Sequence, residues 1–172
     1  VEEEATVVEE LMKDLGCSNW ERANSPKDRA DIWKARHELS YAYKHIKGKD
    51  NTGADACVPI SKLAEMVVFG RTLIEESGLL GGVFGHVGDG NFHTMVMYDP
   101  NDPTEVAKAK YTNDQIALKA IDLGGSCTGE HGVGVGKMKY QLKEHGEAVE
   151  LMKSIKLLFD PNGILNPGKI FI

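Results

Sequence analysis

The stretch LLGGVFGHVGDGNFHTMVMY, residues 79–98, decides the fold, because it places two apolar runs on either side of an Asp-Gly pair. Apolar runs separated by Asp-Gly are typical of an antiparallel β-hairpin. If Asp89 and Gly90 form a two-residue turn, His86 lies directly opposite His93 on the neighbouring strand. Directly opposed residues share one face of a sheet, with Cβ atoms about 4.5–5.5 Å apart. The hairpin is therefore predicted to place two imidazoles close together on one face of the sheet.

Two facing histidines have two interpretations. They can form a partly solvated pair that binds nothing, or they can hold one divalent ion through metal–nitrogen bonds of about 2.0–2.1 Å. Asp89, which lies between them in the sequence, is expected to be a turn residue that tolerates the left-handed conformation rather than a ligand.

A second glycine-rich stretch, CTGEHGVGVGK at residues 127–137, adds the groups that the hairpin lacks. It places Glu130 and His131 at the end of the predicted final strand of the same sheet. Two histidines and one carboxylate, with coordination positions left open, are typical of a catalytic metal site. His86, His93 and Glu130 are therefore predicted to bind a divalent metal (zinc, manganese or iron), and His131 is free to act as a base.

Hydrophobic periodicity and turn residues predict the remaining elements. Helices are predicted at residues 2–15, 27–45, 61–77, 103–123 and 138–158, with Ser61 as the cap of the third helix and Asp102 opening the fourth. Strands are predicted at 17–23, 55–61, 79–87, 91–98 and the start of 126–136, and a loop at 47–53. From residue 55 to residue 131 the order is strand, helix, strand, strand, helix, strand, as in ferredoxin-like split βαβ units. The expected fold class is α+β, an antiparallel sheet with helices packed on one face.

Composition excludes several classes of protein. A net charge of −6 and the lack of a Lys/Arg cluster argue against a nucleic-acid partner. No apolar run approaches the roughly 18 residues of a transmembrane segment. Three cysteines without a CxxC pair favour a reducing compartment. The cysteine pattern therefore indicates the cytoplasm. For a eukaryotic protein we expect a mitochondrion instead, with peripheral association with the inner membrane as an option. Because the chain opens at Val1 on a helical pattern, we also expect a piece of a longer protein.

The two glycine-rich stretches belong to a set of motifs that together resemble the C-terminal part of the FAD-linked oxidase family. The motifs are GHVGDGNFH, CTGEHGVGVGK, DPNGILNPGK, DACVPISKL and WKARHEL. Within the family, the D-lactate dehydrogenase and glycolate oxidase flavoprotein subunit types are the most similar. The resemblance implies that residues 1–172 form the substrate- and metal-binding cap domain. It also implies that the FAD-binding domain is a separate N-terminal part of the same polypeptide, without which this chain would neither hold FAD tightly nor turn over.

The same resemblance implies roles for particular residues. It matches His86, His93 and Glu130 to the metal ligands of the family, and it matches His131 to the catalytic base.

Five further residues match positions that face the substrate or the flavin. The resemblance implies that Arg36 binds the substrate carboxylate, and that Ser40, one helical turn later, lies near the substrate. It implies that Asn91 lines the space between flavin and substrate. Asn166 and Lys169 match the tail that returns toward the flavin.

One departure from the family bears on the substrate. Relatives of the hydroxyglutarate type carry a lysine shortly before the position of Pro59, where this chain has Thr52-Gly53-Ala54-Asp55. The difference favours a small 2-hydroxy-monocarboxylate such as D-lactate or glycolate.

The resemblance thus implies an FAD-dependent D-2-hydroxy-acid dehydrogenase that produces a 2-oxo acid, and it leaves the electron acceptor open. Two alternatives remain at this point. One is a metal-dependent hydrolase in which Glu130 or His131 activates a water, and the other is a metal-binding module without catalytic activity.

Overall fold

The computed structural model describes residues 2–39, 41, 43 and 45–171 of the chain. It divides into two units, Val1–His45 and Ile46–Ile172.

The first unit contains two helices, α1 (Glu2–Asp14) and α2 (Pro26–Leu39). Helix α2 begins as its sequence indicates, because the Oγ of Ser25 accepts the backbone N–H of Asp28 at 3.1 Å, with proline at the first helical position. The prediction that this helix reaches residue 45 is wrong, since residues 41, 43 and 45 lie in turns.

The predicted strand at residues 17–23 is also wrong. These residues have no regular secondary structure, and none of the strands of the described chain lies in this unit. Without a neighbouring strand there is no ladder of hydrogen bonds to stabilise an extended segment.

The second unit is built on an antiparallel sheet of four strands, and its central strand is β4. The strands are β1 (Asp50–Thr52), β2 (Asp55–Cys57), β3 (Gly81–His86) and β4 (Asn91–Tyr98). Strands β1 and β2 pair in succession with one edge of β4, and β3 pairs with the other edge. Strand β1 lies within the segment predicted to be a loop.

A single β-bridge between Cys57 and Ser126 occupies the place of the predicted final strand. Across the sheet, Ser126 lies at one edge, β1 and β2 share the next position, β4 follows, and β3 lies at the other edge. This is the ferredoxin-like order with its last strand reduced to one bridge. The predicted α+β class is confirmed.

Two long helices, α3 (Ile60–Ser77) and α4 (Pro103–Asp122), pack against the sheet and against each other. The core between them includes Phe92 of β4, Met66 of α3 and Ile116 of α4, each at most 1% exposed. Because side chains alternate along a strand, Asn91 and His93 lie on the opposite face of β4 from Phe92. The helices thus cover one face of the sheet, and Asn91 and His93 lie on the other face.

The helix ends are only partly as predicted. Helix α4 begins as expected, since the Oδ1 of Asp102 accepts the N–H of Thr104 at 2.8 Å. Helix α3 begins after Pro59 without a side-chain cap, so the predicted cap by Ser61 is wrong.

The predicted helix at 138–158 is divided. It consists of a 3₁₀ turn (Met138–Tyr140), α5 (Gln141–His145) and α6 (Ala148–Phe159). Gly146, which follows α5, has a φ of 54° that other residues rarely adopt, and it ends the first segment. Among the described helices, none is both long enough and apolar enough to cross a membrane.

Candidate metal and catalytic site

The loop of the β3–β4 hairpin differs from the predicted two-residue turn. Val87–Asp89 form a 3₁₀ turn and Gly90 adopts a left-handed φ of 71°, so that the loop contains four residues. His86 pairs with Asn91, and Phe84 pairs with His93.

The predicted pairing of His86 with His93 is therefore wrong by two residues, but both side chains still lie on one face. A shift of one residue would have moved a side chain to the other face, whereas a shift of two does not. The two rings are diagonal neighbours, with centroids 5.5 Å apart in an edge-to-face arrangement.

Glu130 joins the two histidines on this face. Its Oε1 lies 3.1 Å from Nε2 of His93 and 3.5 Å from Nε2 of His86. The three side chains form a group whose ligand atoms all lie within 4.8 Å of one another. The structure thus brings together the two nitrogens and one oxygen of the predicted ligand set, a donor set that fits zinc, manganese or iron. Asp89 is exposed and belongs to neither of the candidate metal-binding groups found among the described residues.

His131 lies at the exposed side of this group. Its ring stacks on that of His93 with centroids 5.1 Å apart and planes inclined by 15°, and its Nε2 is 3.7 Å from Oε1 of Glu130. The side chain of His131 is 64% exposed, whereas that of His93 is 7% exposed. The site therefore opens from a buried ligand to an imidazole that solvent or a substrate can reach.

Asp55 holds the loop that carries Glu130 and His131. The carboxylate is 2% exposed, and its Oδ2 accepts the backbone N–H groups of Gly129, Glu130 and His131 at 2.9, 3.0 and 2.8 Å. The prediction that Glu130 ends a strand is wrong, because pairing stops at the bridge to Ser126. A buried carboxylate, rather than a strand ladder, satisfies the N–H groups of this segment.

Further donors surround the same carboxylate. The side-chain amide of Asn91 donates to Oδ1 of Asp55 at 3.1 Å, and Nζ of Lys137 donates to the backbone oxygen of Asp55 at 2.7 Å. Burial acts to raise the pKa of Asp55, but the N–H of His131, the amide of Asn91 and the charge of Lys137 together outweigh it. The pKa of Asp55 therefore lies well below its usual range, and the group is an anion at neutral pH.

The role of Asp55 was missed in the sequence. The only signal is a charged residue at the start of the otherwise apolar run DACVP. Asp55, His93 and His131 form a second group of candidate ligands, but Nδ1 of His131 is 4.0 Å from Asp55 Oδ2. Because both carboxylate oxygens already accept N–H groups, the set of His86, His93 and Glu130 is the better candidate for a metal site.

Burial also affects His93. It lowers the pKa of the imidazole, and the carboxylates of Asp55 and Glu130 offset this only in part. The ring is therefore neutral at pH 7, which is the form in which histidine binds metals.

The residues predicted to face the substrate are distributed over both units. Arg36 is an exposed residue of α2 in the first unit, and its guanidinium lies 5.1 Å from the centroid of the Trp33 ring. Ser40 lies outside the described residues. Asn91 is 6% exposed, and its Oδ1 is buried without a hydrogen-bond partner among the described residues.

The predicted flavin-facing residues lie in the exposed tail. Asn166 has a φ of 47°, and Lys169 is exposed. The N–H of Ile170 donates to the backbone oxygen of Gly134 at 2.8 Å, which joins the tail to the glycine-rich loop. The roles of these substrate- and flavin-facing residues stay predictions.

Comparison with known proteins places these features in one family. The family of FAD linked oxidases, C-terminal domain, matches residues 1–170. "Probable D-lactate dehydrogenase, mitochondrial" from Danio rerio is 39% identical over 172 residues, which are 99% of this chain and 35% of that protein. "D-lactate dehydrogenase [cytochrome], mitochondrial" from Arabidopsis thaliana is 41% identical over 98% of this chain and 30% of its own length.

A bacterial relative gives the same result. "Glycolate oxidase subunit GlcD" from Bacillus subtilis is 34% identical over 99% of this chain and 36% of its own length. This chain thus spans about a third of the length of the curated relatives that it matches. The chain belongs to the FAD-linked oxidase family and corresponds to its C-terminal domain.

Proposed function

We propose that this chain is the substrate- and metal-binding part of an FAD-dependent D-2-hydroxy-acid dehydrogenase, which oxidises D-lactate or glycolate to the 2-oxo acid. One observation carries the proposal: His86, His93, Glu130 and His131 meet on one open face of the sheet. The named relatives, which are D-lactate dehydrogenases and a glycolate oxidase subunit, support this reaction class.

The metal-binding residues have separate tasks in this proposal. A divalent ion held by His86, His93 and Glu130 would supply Lewis acidity to the α-hydroxyl of the substrate. Neutral His93 fixes the inner end of the site, because its side chain is 7% exposed and is packed between Phe84 and His131. Glu130, which is 52% exposed, supplies negative charge at the outer end.

His131 is the proposed base. Its exposed ring can accept the proton of the α-hydroxyl, and stacking on His93 limits its orientation. FAD, which the FAD-binding domain of the same polypeptide would hold, would supply the acceptor for the α-hydrogen as hydride. The substrate thus loses one proton and one hydride to give the 2-oxo acid.

The remaining predicted residues orient the reactants. Arg36 is proposed to bind the substrate carboxylate through two parallel hydrogen bonds, which its planar guanidinium favours. Ser40 and Asn91 are proposed to line the substrate space, and Asn166 and Lys169 to face the flavin.

The proposed substrate is a monocarboxylate, and the segment before Pro59 supports this. A Cβ on Gly53 would lie 2.1 Å from the backbone oxygen of Thr94, so a longer side chain has no room there. Ala54 is buried in the core, and the carboxylate of Asp55 is occupied by the glycine-rich loop. Residues 53–55 are thus occupied by packing and by hydrogen bonds within the chain, and none of them is a cation that could bind a second carboxylate.

The proposal extends to location and favours one reaction class over its alternatives. Two of the relatives described above are named as mitochondrial. We therefore propose a mitochondrial location in a eukaryote, peripheral to the inner membrane, and a cytoplasmic one otherwise. Membership of an oxidase family favours a dehydrogenase over a metal-dependent hydrolase or a module without catalytic activity.

A substrate panel on the full-length protein with FAD bound tests the reaction class and the role of Arg36. We expect kcat/KM to be higher for D-lactate and glycolate than for D-2-hydroxyglutarate. Replacing Arg36 with alanine should raise KM for D-lactate about 10–100-fold, because a bidentate bond between two charged groups is lost. Arg29→Ala on the same helix is the control. Unchanged KM and kcat in Arg36→Ala would contradict the assignment.

Metal binding is tested separately from turnover. After treatment of the full-length protein with a chelator, titration calorimetry with Zn²⁺ or Mn²⁺ should detect one site. The double variant His86→Ala/His93→Ala should bind at least about 100-fold more weakly, since only one protein ligand remains. His145→Ala, which removes an imidazole from α5, should bind like the parent. Parental affinity in the double variant would show that the metal site has been assigned to the wrong residues.

A further inference from the structure

We infer that Asp55 is a positioning residue of the metal centre, which sets the tautomer of His93 and holds Glu130 and His131 in place. It acts through these residues and is not itself a ligand. The inference rests on the proposed function, because it takes His93 and Glu130 to be metal ligands.

The first step concerns the loop. After the bridge between Cys57 and Ser126, the described chain forms no further strand pairing, and the backbone N–H groups of residues 129–131 converge on Asp55 Oδ2. The hydroxyl of Thr128 lies 3.3 Å from the same oxygen. The Cα of Glu130 is therefore fixed by bonds on both sides of it, and from that place its carboxylate reaches the two histidines.

The second step concerns His93. Its Nδ1 is buried and makes no hydrogen bond within the described chain, and the nearest carboxylate oxygen in an ion pair with it is Asp55 Oδ1 at 3.4 Å. The buried oxygen of Asp55 favours the tautomer that carries hydrogen on Nδ1, whereas Glu130, which faces Nε2, is 52% exposed and is itself a proposed metal ligand. The lone pair then lies on Nε2, the nitrogen that is 3.1 Å from Oε1 of Glu130. A carboxylate behind a histidine orients metal-binding histidines in the same way in other proteins.

The third step is the effect of an amide. In Asp55→Asn one oxygen becomes an N–H₂ donor, and either orientation of the amide disturbs the site. At the Oδ2 position the donor would face three backbone N–H groups. At the Oδ1 position it would donate to Nδ1 of His93 and leave the hydrogen on Nε2, where a metal requires a lone pair.

The test is metal binding by the full-length protein with FAD bound. After removal of bound metal, Zn²⁺ affinity is measured by competition with a chromophoric chelator, and the absorption spectrum of added Co²⁺ reports the ligand geometry. Asp55→Asn should weaken Zn²⁺ binding about 10–100-fold, the usual effect of losing a partner of a metal ligand, and should change the Co²⁺ spectrum. Asp114→Asn is the matched control. Asp114, like Asp55, is hydrogen-bonded by a lysine: its Oδ1 accepts hydrogen bonds from Nζ of Lys139 and the hydroxyl of Tyr140, both at 2.6 Å. It belongs to neither candidate metal group.

The outcomes separate the inference from the proposed function. Parental affinity and spectrum in Asp55→Asn, with loss of metal from His86→Ala/His93→Ala, would overturn the inference and leave the function standing. Parental affinity in the double variant would overturn the metal site and the inference with it. If Asp55→Asn does not retain FAD, Lys137→Met replaces it, since this variant removes the ammonium that holds Asp55 from the loop side. A severalfold loss of Zn²⁺ affinity then supports the inference, and unchanged affinity overturns it.

Discussion

Replacing His131 with glutamine in the full-length flavoprotein is expected to slow reduction of the flavin by D-lactate by about 10²–10⁴-fold. Glutamine can donate and accept hydrogen bonds at a similar reach, but it cannot take the proton of the α-hydroxyl. Zn²⁺ affinity should stay within about threefold of the parent, because the better ligand set does not include His131. Stopped-flow absorbance at the flavin band, recorded without oxygen, measures the rate of this step.

His145→Gln is the control for that experiment. His145 is on α5, and its Nε2 is 3.7 Å from Oε1 of Glu144, outside the candidate metal groups. Its variant should reduce flavin at the parental rate. If His131→Gln reduced flavin within a factor of two of the parent, His131 could not be the base, whereas the metal site would be unaffected.

Replacing Gly129 with alanine is expected to have the largest effect on the structure of the site. A Cβ at this position would lie 2.0 Å from Nδ2 of Asn91 and 2.6 Å from Oδ1 of Asp55. Both neighbours are at least 94% buried, so they have little room to move. The loop must therefore move outward, which breaks its bonds to Asp55. We expect a loss of about 1–3 kcal/mol in the free energy of unfolding, the usual cost of overpacking, and at least about tenfold weaker Zn²⁺ binding.

Gly136→Ala provides the comparison within the same loop. A Cβ on Gly136 would meet no atom within 4 Å, and its φ is not positive. Thermal unfolding and Zn²⁺ titration of the two variants therefore separate the close approach at Gly129 from a general intolerance of alanine in this loop. Equal melting temperatures and equal affinities for both variants would show that the approach of Gly129 to Asp55 is unimportant.

Local sequence patterns predicted the elements that pack on the core. Strand β4 has the predicted bounds, 91–98, and α4 begins after Asp102 as predicted, because alternating apolar residues and an Asp-Pro pair act within a few positions. The prediction of a strand at 17–23 was wrong because a strand depends on a neighbouring strand, which the local sequence does not show. The predicted two-residue turn was wrong because Gly90 packs on the segment that follows β2, where its backbone oxygen accepts the N–H of Val58 at 3.0 Å.

Much of the site could also be predicted, for a geometric reason. Whether two side chains of a hairpin share a face depends only on whether the register shifts by an odd or an even number of residues. The prediction that His86 and His93 share a face was therefore right, although the predicted turn was wrong. Adjacent Glu130 and His131 were visible as a motif. Asp55 was not, since its partners are backbone N–H groups at 129–131, more than 70 residues later in the chain, and a backbone amide has no sequence signature.

The attachment of this loop to Asp55 has a consequence for how the site can change. Its three bonds use main-chain N–H groups, which every residue except proline provides. The location of positions 130 and 131 is therefore independent of which side chains they carry. Mutation or design can exchange the donor at 130, or the acid–base group at 131, without rebuilding the scaffold beneath them. A library restricted to these two codons would explore new chemistries on an unchanged backbone.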